Sequence, residues 1–106
     1  MISKNEEINM LIEKSIEKND IITIKLATGE ELIAKFIEED ENSLIVERAT
    51  TMAANPQGGL GLVPWMMSAM PEKISLNKST VLAYTKTVKE IADKFIEATT
   101  NIQLAP

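Results

Sequence analysis

Residues 21–47, IITIKLATGEELIAKFIEEDENSLIVE, constrain this chain more than any other stretch. β-branched and apolar residues alternate with polar ones, and two turn clusters divide the run into three. Period-two alternation of this composition reads as β-strands. In Ile21–Leu26, residues Ile22, Ile24 and Leu26 share one face, and Thr23 and Lys25 share the other. Ala27-Thr28-Gly29-Glu30 is a turn, where Gly29 takes a positive φ at no steric cost. Glu31–Glu38 is a second strand, apolar on both faces through Leu32, Ala34 and Phe36 against Ile33 and Ile37. Such a strand belongs in a strongly bent sheet or under a helix. Glu39-Asp40-Glu41-Asn42 turns the chain into a third strand, Ser43 to about Met52.

Composition removes much chemistry. The 106 residues form one domain, residues 1–106, large enough to bury roughly 60–70% of the surface its unfolded chain exposes. There is no cysteine and no histidine. Disulfides, thiolate chemistry, the commonest zinc ligand and the commonest general base are therefore excluded, and no enzyme, metal or cofactor is expected. Eleven basic residues face 16 acidic ones, a net charge of −5. Sequence-independent nucleic-acid affinity comes from neutralising phosphates, so binding would need lysines gathered on one surface. The N-terminal stretch carries Glu6 and Glu7 and does not read as a signal peptide. The most apolar segment, Leu60–Pro71, is broken by Gly61, Pro64 and Ser68 and is too short to span a bilayer. A soluble, cytoplasmic protein is expected, with no membrane partner.

Two helices are predicted to flank the strands. Ser3-Lys-Asn-Glu6 fits a capping box, and Ile8, Leu11, Ile12 and Ile16 form one apolar stripe, giving a helix over about 4–18. Thr87-Val-Lys-Glu90 fits a second box, opening a helix over about 88–99 with Val88, Ile91, Ala92, Phe95 and Ile96 on one face. Between them, Asn55-Pro56-Gln57-Gly58-Gly59 is a dense turn cluster. Leu62–Met70 is predicted as a fourth strand, with a bulge, a strand start or a locally unpaired edge at Pro64. Ile74-Ser75-Leu76 is a short alternating piece, and Thr80–Thr85 is the last strand.

This order, with Leu26, Gly29, Ala34, Phe36 and Asp40 at their spacing, resembles the Sm-like (LSm/Hfq) small β-barrel family. Leu76-Asn77-Lys78-Ser79-Thr80-Val81-Leu82 lies where that family has its second motif. The C-terminal helix and the Gly-rich loop leading to Leu62-Val63-Pro64-Trp65-Met66 resemble Sm-like proteins of tailed phages, cyanophage-type above all. The resemblance implies a mainly β fold: a strongly bent, five-stranded antiparallel barrel over about 20–86 with an N-terminal helix and an additional C-terminal one. It also implies a homo-oligomeric ring of about five to seven copies, closed by head-to-tail strand pairing. It places the ring in a bacterial or phage-infected cell and gives it single-stranded RNA as a partner. An alternative is a structural or adaptor ring that binds a phage or host protein and has lost RNA binding. RNA-contacting positions carry over to Asp40, Asn42, Ser43, Asn77 and Lys78. Two departures stand out. Asp40-Glu-Asn-Ser-Leu44 lacks the family's methionine, so Asn42 or Ser43 serves only if the turn is shortened. The family's Arg-Gly is Asn77-Lys78 here, and neither an amide nor an ammonium replaces a stacking guanidinium. The subunit contact carries over to Leu62, Val63, Trp65 and Met67 on one strand and Val81, Ala83 and Thr85 on the other.

Other candidates have plain readings. Glu38-Glu39-Asp40-Glu41 is a solvated turn whose carboxylates diverge, with Asp40 tying down the backbone. Lys73 and Lys78 either hold RNA phosphates or keep an edge soluble. Trp65, Met66, Met67 and Met70 form an adaptable apolar surface, expected in the core or at a subunit contact. Tyr84 is expected to pack, and Arg48, the only arginine, to pair with an acid. The loop Gly58-Gly59-Leu60-Gly61 lacks the Lys-Ser/Thr pair and helix start of a phosphate cradle.

Overall fold

The computed structural model describes residues 15–66 and 72–104. Among the described residues there are six strands: β1 Ile21–Leu26, β2 Glu31–Glu39, β3 Ser43–Ala54, β4 Leu60–Pro64, β5 Lys73–Asn77 and β6 Val81–Lys86. A 3-10 turn, Lys78–Thr80, joins β5 to β6, and one helix, α1 Lys89–Leu104, follows. All pairings are antiparallel, in the order β4-β3-β2-β1-β6, with β5 also on β3.

The first three strands fall where alternation places them. The turn between β1 and β2 closes with Leu26 N–H donating to the Glu30 carbonyl at 2.8 Å, and Gly29 sits at φ 100°. The β3–β4 hairpin turns on Asn55, whose side-chain oxygen accepts from Gln57 N–H at 3.0 Å.

The expected closed five-stranded barrel is not what forms. The sheet has six strands and is open: among the described residues no ladder joins β5 to β6. Two features cause this. β3, at 12 residues, is long enough to carry two neighbours on one edge, with β5 along Ser43–Glu47 and β4 along Thr50–Ala54. The 3-10 turn then swings the chain between β5 and β6 without hydrogen-bonding them. The alternating piece Ile74-Ser75-Leu76 is thus the centre of a full strand, with Ile74 and Leu76 buried. The fourth strand spans Leu60–Pro64 rather than 62–70: Trp65 N–H still donates to the Ala49 carbonyl at 3.0 Å, and the chain bends away there.

Between the two halves of β3 lies a bulge. Ile33 pairs with Thr50 and Lys35 with Glu47, so Ala34 alone faces both Arg48 and Ala49. Arg48 takes φ 55°, a left-handed conformation that arginine rarely adopts. The bulge bends the sheet. The buried Thr50 hydroxyl donates to the Ile33 carbonyl at 2.9 Å, satisfying both groups at the kink.

The bent sheet has two apolar faces. The inner one buries Ile22, Ile24, Leu26, Leu32, Ala34, Phe36, Leu44, Val46, Ala49, Ile74 and Leu76, with Ile16, Trp65, Val81 and Tyr84 packed against them. The outer one is smaller: Ile21 and Ile33 with Phe95 of α1, flanked by Met52, Leu62, Ile91 and Ala92. Both apolar faces of β2 are thereby covered. Fully burying one such aliphatic side chain contributes about 1.5–3 kcal/mol.

The helices depart from expectation. The predicted N-terminal helix lies outside the described residues as far as 14. Ser15–Glu17 have no regular structure and Lys18-Asn19 form a turn, so no helix runs through to residue 18. α1 begins at Lys89 and runs five residues past the expected end at 99, to Leu104. Thr87 does not form the expected capping box: its hydroxyl bonds that of Thr23 at 2.8 Å and its N–H donates to the Ile21 carbonyl. The Val88 carbonyl instead takes the first helical bonds, from Ile91 and Ala92. Among the described residues no helix is long and apolar enough to cross a membrane.

Candidate functional site

Two features stand out: a polar corner at one end of the sheet, and the sheet's uncharged edges.

The corner forms where the β2–β3 turn meets the 3-10 turn. Asp40 accepts from Asn42 N–H at 2.9 Å and Ser43 N–H at 2.8 Å, through one carboxylate oxygen. These backbone donors, Asn42 first, hold its carboxyl below the usual carboxylate range. Ser43 pairs across the ladder with Asn77, and Lys78 N–H donates to the Asn42 carbonyl at 2.9 Å. The Asn77 side chain accepts from Ser79 N–H at 3.0 Å and caps the 3-10 turn. The five carried-over positions Asp40, Asn42, Ser43, Asn77 and Lys78 are therefore neighbours.

The side chains of Asp40, Asn77 and Lys78 already have partners, however. Lys78 Nζ lies 2.7 Å from Glu39 Oε1, and the Tyr84 hydroxyl donates to the same Glu39 carboxylate. The hydrogen bond from Lys78 and then that from Tyr84 hold Glu39 below its ordinary range. Burial, and then Glu39, push Tyr84 up to about 12. The acidic turn is solvated, as read from sequence: Glu38, Asp40 and Glu41 are exposed. Sequence reasoning missed Glu39 as the hub. It sits inside a run of acids, and Tyr84 and Glu39 are separated by 45 residues along the chain. Among the described residues, no group of three or more acids is placed to hold a metal ion.

The edges are β4 and β6, the two ends of the main strand order. Each has a single ladder partner among the described residues, β3 for β4 and β1 for β6. β4, Leu60-Gly-Leu-Val-Pro64, has no charged residue, and β6, Val81-Leu-Ala-Tyr-Thr-Lys86, has one at its end, where Lys86 pairs with Asp20 at 3.4 Å. Among the described residues β5 also has only β3 as partner, but Lys73, Ser75 and Asn77 make it polar.

The predicted contact residues divide. Leu62 packs with the outer cluster, and Trp65 and Val81 against the inner core. Trp65 Nε1 also donates to Glu30 at 3.3 Å. Val63 is half-buried, and Ala83 and Thr85 are exposed. Met67 and Met70 lie outside the described residues. Sequence reasoning overlooked Leu82, which is 68% exposed, and Leu60, at 59%. Leu82 is the extra residue where the β1–β6 register shifts, since Leu26 pairs with Val81 and Lys25 with Ala83.

Compared with models of known protein families and with curated proteins, the chain matches none. The Sm-like resemblance rests on its short motifs alone.

Proposed function

We propose that this chain is a non-enzymatic self-assembly module of the cytoplasm, joined head-to-tail by β4 of one copy and β6 of the next. The assembly acts as an adaptor that presents its repeated acidic turns to a protein partner. One observation carries this reading: the open sheet ends in two unlike strands whose outer backbone groups lack a ladder partner among the described residues. Exposed edges are ordinarily blunted by charge, proline or a covering element. Here β4 has only its terminal Pro64, and the single β6 lysine is tied to Asp20. Unlike edges give a heterologous contact, which closes into a ring when the rotation permits.

Native mass spectrometry tests the reading and counts the copies. A closed oligomer is expected from the natural chain. Ala83→Lys with Thr85→Lys, both at exposed positions, is expected to give folded monomers. A natural chain that stays monomeric would end the proposal.

A second reading, single-stranded RNA binding, has the convergence of Asp40, Asn42, Ser43, Asn77 and Lys78 behind it. It is the weaker one, because Glu39 already holds Lys78 and the rest of that turn, Glu38, Asp40 and Glu41, is acidic and exposed. The same spectra with short RNA at low salt decide it: binding that steepens as salt falls, and is lost in Lys78→Gln, favours RNA.

A further inference from the structure

Resting on that assembly reading, we infer that Leu82 of one copy seats in a groove between α1 and the β3–β4 hairpin of the next. The groove offers about 160 Å³ of open space and is lined by Met52, Leu60 and Leu62 from the hairpin and Ile91, Lys94 and Ala98 from α1.

The need for such a contact follows from area. β4 has five residues and β6 six. A ladder of that length is about 17 Å long and one sheet about 10 Å thick, so it covers on the order of 200 Å² a side. Stable specific interfaces cover roughly 800 Å² a side. Backbone pairing alone therefore leaves most of the interface unaccounted for, and apolar contact beside the edges has to supply it.

The placement of the exposed apolar residues answers this need. β4 is itself one wall of the groove, so a strand added to its free edge runs beside Leu60 and Leu62. On β6 the bulge aims Leu82 away from the inner core, which Val81 and Tyr84 join. Bulges re-aim side chains in this manner. A 68% exposed leucine near the start of one edge strand and an apolar groove beside the opposite edge are complementary in a head-to-tail contact.

Because the chain has no cysteine, introduced thiols report on their own positions alone. Leu82→Cys protein is mixed with Ala98→Cys protein, treated with a short bismaleimide, and compared with a mixture of Leu82→Cys and Ser75→Cys, an exposed control on β5. Linkage to Ala98→Cys is expected to exceed linkage to the control roughly tenfold, and Leu82→Asp to weaken assembly by roughly tenfold or more. Equal linkage in both mixtures, or unchanged assembly of Leu82→Asp, overturns the inference while leaving edge assembly standing. A natural chain that is monomeric by native mass spectrometry removes both together.

Discussion

The inner and outer faces of the sheet are built on different scales. Eleven buried residues from four strands make the inner core, and β6 and the segment before β1 add to it. On the outer face, among the described residues, the buried cluster is Ile21, Ile33 and Phe95, and Phe95, with Ile91 and Ala92 beside it, anchors a helix of 16 residues. α1 is thus an attachment to a sheet whose own curl does most of the burying. Leu44→Ala and Phe95→Ala separate the two, since both residues are fully buried. Each change nominally costs about 2–5 kcal/mol, a large part of the roughly 5–15 kcal/mol that holds a domain folded. Amide hydrogen exchange is expected to show loss of protection throughout β1–β6 for Leu44→Ala. For Phe95→Ala the loss is expected in α1, with β1–β3 retaining most of theirs. Uniform loss in both variants would mean that the helix is integral to the sheet's stability.

The inner core depends on the kink in β3, which separates the stretches that pair with β5 and with β4. Arg48 makes that kink at φ 55°. Left-handed backbone costs a residue with a Cβ about 1–2 kcal/mol, and a β-branched one suffers most. Denaturant unfolding of Arg48→Gly, Arg48→Asn and Arg48→Val is expected to rank them in that order of stability. The glycine and valine variants should differ by about 1–2 kcal/mol. A valine variant as stable as the glycine one would remove the bulge from the account of how the sheet bends.

These two regions were unequally legible. β1, β2 and the start of β3 follow from alternation and from the turns at Gly29 and Asp40, because local chemistry decides them. That both faces of β2 are covered was readable from Ile33 and Ile37 against Leu32, Ala34 and Phe36. The kink was not readable, since nothing local asks an arginine to take a positive φ; long-range pairing imposes it. Missing the kink hid the split edge of β3, and with it the open sheet and the sixth strand. The fourth strand was drawn too long because Trp65 and Met66 extend its apolar run past Pro64. At the candidate site, motif spacing brought the five corner residues to notice, and they do adjoin. Their engagement with Glu39 and Tyr84 was invisible because those contacts span the sheet.

The corner is the smallest contributor, and it sharpens the comparison because it ties the end of β2 to β6 across the rim of the inner face. Its pH dependence has a defined sign at both ends. Glu39 and Asp40 titrate below their ordinary values of 4.5 and 3.8. Their contribution is complete above those values and is lost as pH falls through the lower folded ones. Tyr84 behaves oppositely: the unfolded chain ionises near 10 and the folded one near 12, so stability falls as pH rises between them. Tyr84 is the only tyrosine, so tyrosinate absorbance reads it without assignment. The natural chain is expected to titrate near 12, and Glu39→Gln partway back toward 10. The return is partial because burial, which the substitution leaves in place, is the larger cause. A midpoint near 10 in the natural chain would show that Tyr84 is neither buried nor bonded to Glu39, and the inner face would then lose its polar rim.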